Sequence, residues 1–146
     1  MKYIIEPIEK SDYKNVVDVW EASVRATHDF LLEEDILYFK PLILSTYLDA
    51  VILKCLRNEK RDIIGFSGVA DSKLEMLFID PYFRGKGIGK ALLQYGVNHQ
   101  KVNSVDVNEQ NVEAVDFYKH FGFEVISRSE TDPSGKPYPI LHMALL

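Results

Sequence analysis

The chain has 146 residues, 47% of them apolar and the rest carrying charges of both signs, which suits one domain over residues 1–146 that buries roughly 70% of its unfolded surface. A net charge of −5 leaves no excess of Lys and Arg to displace counterions from phosphates, so nucleic acid is not an expected partner. No apolar stretch approaches the ~18–20 residues that cross a bilayer, and the first residues are too soon charged for a signal peptide, so the expectation is a cytoplasmic protein with no membrane partner.

Tyr3 to Ile8 reads as a short first strand. Ser11 or Asp12 can cap a helix in which Tyr13, Val16, Val17, Trp20 and Val24 recur at helical spacing, giving one buried stripe. A second helical region runs from Leu32 to Leu48, and Pro41 should break or kink it. Val51 to Leu56 and Ile63 to Val69, joined by a polar turn, form a β-hairpin. Its Cys55 is the chain's only cysteine, which rules out an internal disulfide and a cysteine zinc site; no metal is expected. Lys73 to Ile79 is the next strand, stopped by Asp80-Pro81. Gly87 to Gln100 reads as a helix with Ile88, Ala91, Leu92 and Tyr95 on one face. Ser104 to Val107 is a brief strand, Asn111 to Phe121 a helix closed by Gly122, and Phe123 to Ser129 and Pro139 to Leu146 are the last strands. This order predicts an α/β (α+β mixed) fold: a mixed sheet of about seven strands with helices on both faces, antiparallel first and strand–helix–strand later.

The segment Arg84-Gly85-Lys86-Gly87-Ile88-Gly89-Lys90 places three alternating glycines between a strand end and a helix start. Bare backbone can turn with positive φ there, and unpaired N–H groups with the helix dipole behind them form an anion site suited to a pyrophosphate. A P-loop is excluded because Ala91 follows Gly89-Lys90 where a hydroxyl is required. The dinucleotide fingerprint fails because no glycine stands three residues after Gly87 or Gly89. A glycine turn without a ligand is disfavoured, since three glycines weaken a helix entrance unless something needs the bare backbone.

Arg-x-x-Gly-x-Gly between strand and helix resembles the pyrophosphate motif of the GNAT acetyltransferases. The run from Asn108 to Phe123, with Asn111-x-x-Ala114, Phe117-Tyr118 and Gly122-Phe123, is similar to that family's second half, and Trp20, Ala26 to Leu31 and Gly135 to Pro139 extend the likeness end to end. The resemblance implies a twisted sheet whose fourth and fifth strands splay apart, with acetyl-CoA as cosubstrate in the opening. It implies backbone contacts from Leu77, Phe78 and Ile79 to the acetyl and pantetheine groups, the pyrophosphate on Arg84, Gly85, Lys86, Gly87, Ile88, Gly89 and Lys90, and Asn111 and Ala114 beside the pantetheine arm.

By the same resemblance Tyr118 is the general acid that protonates the departing thiolate, although its place on an i, i+3, i+4, i+7 face also fits a packed aromatic. The base stays open. Glu75 is expected on one strand face with Leu77 and Ile79, although the family often carries its glutamate about two residues earlier, where this chain has Lys73. His28 is a second candidate and His142 a weaker one. The implied reaction is direct attack of a primary amine on acetyl-CoA; the competing reading is a CoA-binding module without catalysis. Small-molecule and protein amines both remain open as acceptor, as do monomer and homodimer.

Overall fold

The computed structural model describes residues 3–146. Its seven strands form one sheet: β1 (Glu6–Pro7), β2 (Ile52–Arg57), β3 (Ile63–Ala70), β4 (Lys73–Ile79), β5 (Ser104–Asn108), β6 (Phe123–Ser129) and β7 (Ile140–Leu145), in the spatial order β1-β2-β3-β4-β5-β7-β6. The helices are α1 (Tyr13–Thr27), α2 (Glu33–Leu42), α3 (Ile88–His99) and α4 (Val112–Phe121). Val16, Val17, Trp20 and Val24 of α1 pack with Phe66, Met76 and Phe78 on one face of the sheet. Ile88 and Leu92 of α3, and Val115 and Tyr118 of α4, pack against the other with Ile64, Leu74, Val105 and Met143.

Every pairing is antiparallel except β4 with β5, which is parallel and short. Only Lys73↔Ser104 and Leu74↔Val105 are in register. Beyond Leu74 the two strands part, so alternate backbone groups of β4 from Glu75 onward have no strand beside them. A bulge starts at the same point: Gly68 opposes Met76 while Val69 opposes Leu74, which makes Glu75 the extra residue.

Local detail sharpens these expectations. The first strand contracts to Glu6–Pro7, because Pro7 lacks an N–H and the pairing with Cys55 and Lys54 ends there. Asp12 stands at the N-cap position of α1, but its carboxylate makes no cap bond to that helix; it accepts from the Glu9 N–H (3.0 Å) and from Arg57 Nη2 (3.0 Å), closing a single turn ahead of the helix. As expected, the helical region divides at Pro41: α2 ends one residue later at Leu42, and the chain continues as a wide i→i+5 turn over Ile43–Tyr47. On α3 the buried face is Ile88, Leu92, Leu93 and Gly96, with Ala91 and Tyr95 half-buried at its margin. Leu93 is drawn in by Val102 and Val105 on the β5 side.

Candidate active site

None of the backbone N–H groups from Gly85 to Lys90 has a hydrogen-bond partner among the described residues; the first α3 bond runs from the Ala91 N–H to the Gly87 carbonyl (3.0 Å). Gly85 (φ 75°) and Gly87 (φ 81°) turn this row of donors through the left-handed region, which a side chain would resist. At Gly89 the reason is access: an added Cβ would stand 3.7 Å from the Phe117 ring and 3.9 Å from Ile79, so any longer side chain would enter the gap between β4 and α4. A concentrated set of free donors at a helix N-terminus fits a bound pyrophosphate.

That gap is a cavity of about 340 Å³, lined by Leu77, Phe78, Ile79, Arg84, Gly85, Gly87, Ile88, Gly89, Lys90, Asn111, Ala114 and Tyr118, and also by Phe83, Glu113 and Phe117. Lys86 is the one loop residue not on its wall. Its side chain lies over the Phe83 ring (6.0 Å), its carbonyl accepts from the Tyr3 hydroxyl, and it lines a separate groove along α3. Arg84 is ion-paired with Glu113 across the cavity mouth. Just past the end of β4 the Asp80 N–H donates to Ile64 of β3 (2.9 Å), so by alternation the N–H groups of Ile79 and Leu77 point away from β3 into the opening.

A second cavity, of about 310 Å³, lies on the α1 side of the sheet. Trp20, Val24, Phe39 and Ile43 supply apolar walls, and Glu75, Asp106 and Asp132 supply carboxylates. The bulge resets the side-chain alternation, which overturns the expectation that Glu75 shares a face with Leu77 and Ile79. Leu74, Leu77 and Ile79 pack on the α3 and α4 side and Met76 and Phe78 on the α1 side, and Glu75, the extra residue between the two runs, lines the second cavity and not the first. Asp106 is bonded to Lys73 and to His142 Nδ1 (2.6 Å), and His142 Nε2 to Ser129 Oγ (2.7 Å). His142 therefore stands behind Asp106 and lines neither cavity.

Residues missed from the sequence close this cavity. Tyr138 accepts from the Leu32 N–H (3.3 Å) and donates to the buried Asp35, whose other oxygen meets Lys136 Nζ at 2.8 Å. These bonds pin the β6–β7 loop to the start of α2. Lys136, first, and Tyr138 hold the Asp35 carboxyl below its ordinary value. The Gly135-Lys136-Pro137-Tyr138 run marks that loop, but nothing in it points to Asp35.

The two cavities share a wall made of His28, Leu77, Phe78, Asn111, Ala114 and Tyr118. The Tyr118 ring packs edge-on against Phe117 and Phe123, and its hydroxyl makes no hydrogen bond among the described residues. Burial pushes its pKa up, so it keeps its proton. Asn111 Oδ1 accepts from the Ala114 N–H (3.2 Å) as the N-cap of α4. His28 is bonded at both ring nitrogens, Nδ1 with Thr27 Oγ1 (2.7 Å) and Nε2 with Asn111 Nδ2 (3.2 Å), and burial pushes its pKa down to about 4.

A sheet opened between parallel strands, with unpaired backbone donors on one side of the opening and carboxylates on the other, is an arrangement suited to an anionic ligand beside a second binding cavity. The acetyltransferase (GNAT) domain model matches residues 50–143. Over 131 residues the chain is 40% identical to the peptidyl-lysine N-acetyltransferase YjaB of Escherichia coli K12, covering 90% of this chain and 88% of that one. It is 25% identical over 138 residues to the peptidyl-lysine N-acetyltransferase YiaC of the same strain, covering 92% of each. The solution structure of apo YjaB from Escherichia coli superposes with a TM-score of 0.90 at 38% identity, covering 100% of this chain and 99% of that one. The PaiA N-acetyltransferase of Thermoplasma acidophilum, solved with coenzyme A, shares the fold at a TM-score of 0.69 and 21% identity, covering 97% and 98%. The chain belongs to the GNAT family and is an acetyl-CoA-dependent N-acetyltransferase.

Proposed function

We propose that the acceptor is the ε-amine of a protein lysine, which attacks acetyl-CoA directly in a ternary complex at the shared wall. The observation that carries this reading is the meeting of the two cavities at Tyr118. The second cavity suits a lysine: its apolar walls match the aliphatic stem, and Glu75, which has no ion pair among the described residues, matches the ammonium head. Two relatives, YjaB and YiaC, bear the name peptidyl-lysine N-acetyltransferase. Cys55 is fully buried and lines neither cavity, which disfavours an acetyl-thiol route.

Within this reading acetyl-CoA supplies an activated acetyl group, and the chain supplies position and protons. The free N–H groups from Gly85 to Lys90, with Arg84, hold the pyrophosphate, and Asn111 and Ala114 flank the pantetheine arm. The Leu77 and Ile79 N–H groups stabilise charge developing on the thioester oxygen, an effect worth several kcal/mol when preorganised. Tyr118 donates its proton to the departing sulfur. Burial that keeps the phenol neutral also disfavours a bare thiolate, so the transfer stays matched in the dry site. Glu75, directly or through water, takes the proton of the incoming ammonium.

The test is a panel of three amines: peptides with a blocked N-terminus and an internal lysine, lysine-free peptides with a free N-terminus, and spermidine. Mass spectrometry should find acetyl on lysine Nε in the first group. Faster modification of α-amines or of spermidine would overturn the acceptor assignment while leaving the acetyl-CoA side intact.

A further inference from the structure

His28 stands at the C-terminal end of α1, and Asn111 caps the N-terminus of α4, which carries Tyr118. The contact between them joins the two helices that flank the shared wall. Its polarity follows from the neighbouring bonds. Thr27 Oγ1 donates to the Ser23 carbonyl (2.7 Å), so toward His28 it accepts, and Nδ1 must carry the ring proton. Asn111 Oδ1 is taken by the Ala114 N–H, so its amide Nδ2 donates to His28 Nε2. The result is one directed chain, Asn111 to His28 to Thr27 to Ser23, in which the only basic nitrogen of the ring is occupied. The ring also packs at a tilt against Phe30 (5.2 Å between centroids) and Phe78 (6.5 Å).

We infer that His28 is a positioning residue: as a neutral Nδ1–H tautomer it anchors Asn111, and through Asn111 it fixes the entry of α4 and the place of the Tyr118 hydroxyl. This rests on the reading of Tyr118 as the general acid. It also takes His28 out of the contest for general base, because a proton could reach Nε2 only by breaking the Asn111 bond. Asp29, the adjacent charge, favours the protonated ring, but burial outweighs it.

Three variants test it in the full chain with acetyl-CoA and a lysine peptide. His28→Phe keeps an aromatic ring and loses the acceptor, and a small displacement of a reacting group can cost up to about 10²-fold in rate. The expected result is a fall in kcat of about tenfold or more, larger than any loss of acetyl-CoA affinity transmitted through Asn111. His28→Gln offers Oε1 to the Asn111 amide and should recover most of that loss with an unchanged pH profile. In a Tyr118→Phe background, His28→Phe should cost little more, because the group it positions is gone. If Tyr118→Phe alone has no effect, the acid assignment fails; if it is slow and His28→Phe is fully additive to it, the positioning role fails. Loss of activity in His28→Gln together with loss of the acidic limb of the pH profile would make His28 the base. Should His28→Phe not fold, nitrogen-15 NMR of histidine-labelled wild type decides: the Nδ1–H tautomer at neutral pH is expected, and an Nε2–H or protonated ring overturns the inference.

Discussion

The two cavities that meet at Tyr118 are built from different material. The donor-side cavity relies on backbone: free N–H groups from Gly85 to Lys90 and the unpaired edge of β4 beyond Leu74, fixed by positive-φ glycines and a helix start. The acceptor-side cavity relies on side chains from α1, α2, β4, β5 and the β6–β7 loop. Backbone donors recognise a charge and a shape that never change, as an invariant cosubstrate demands. Side-chain walls can be exchanged one at a time, so acceptor choice can change on a constant donor site.

The sharpest way to break this comparison is at the shared wall. Tyr118→Phe keeps the ring between Phe117 and Phe123 and removes only the oxygen, so kcat should fall by about 10² to 10⁴ while calorimetry finds acetyl-CoA bound as before. An unchanged kcat would reduce Tyr118 to packing.

The donor side should fail through its backbone. Gly87→Glu places a charged side chain on a φ of 81° beside the free donors, so the thermal stabilisation by CoA, about 2.7 kcal/mol at a hundredfold excess over Kd, should vanish. Gly87→Asn, which tolerates the left-handed region, reports the cost of the substitution without the charge. Retained CoA stabilisation in Gly87→Glu would move the phosphate site elsewhere.

On the acceptor side one carboxylate is expected to matter less. Glu75→Gln should lower kcat/KM by about tenfold near neutral pH and by less at high pH, where the free amine is already plentiful. A uniform loss across pH would mean that Glu75 binds the ammonium without taking its proton.

The contrast in material also explains what could be read in advance. The glycine loop is contiguous and its chemistry lies in the main chain, so spacing marks it as an anion site, and family likeness proposes the pyrophosphate. Tyr118 and Asn111 fall in one run whose family likeness named them. The acceptor side joins residues far apart: Tyr138 meets Asp35 across 103 positions and His28 meets Asn111 across 83, and no local pattern encodes such contacts. Glu75 went to the wrong face because strict alternation was assumed through β4, and a bulge is one residue that alternation cannot announce. The contracted β1 is a boundary difference that leaves the site untouched.

His28 gives a further test through stability. Its folded-state pKa of about 4 lies below its ordinary 6.5, so between those values the unfolded chain holds the extra proton. Stability should therefore fall as pH drops through this window, by up to about 1.4 kcal/mol per pH unit, and level off below it. Carboxylates titrate in part of the same range, so the reading is the difference between wild type and His28→Gln in urea melts at pH 7 and pH 5. Identical pH dependence in the two proteins would mean that His28 is solvated and free to protonate.

The smallest effect has the most informative sign. Arg84 and Glu113 face one another across the mouth of the donor cavity, with side chains 44% and 76% exposed, so the pair itself is worth at most about 1 kcal/mol. Pyrophosphate must compete with the Glu113 carboxylate for that guanidinium and is also repelled by it. Glu113→Gln removes both penalties, so CoA should bind a few-fold more tightly, with the gain shrinking at high salt. The same carboxylate lies in the first turn of α4, where it complements the helix dipole, so the unliganded variant should lose a few tenths of a kcal/mol. Calorimetric titration with CoA beside melts of the free protein reads both. Weaker CoA binding would give Glu113 the opposite role, that of holding Arg84 in its phosphate-binding pose.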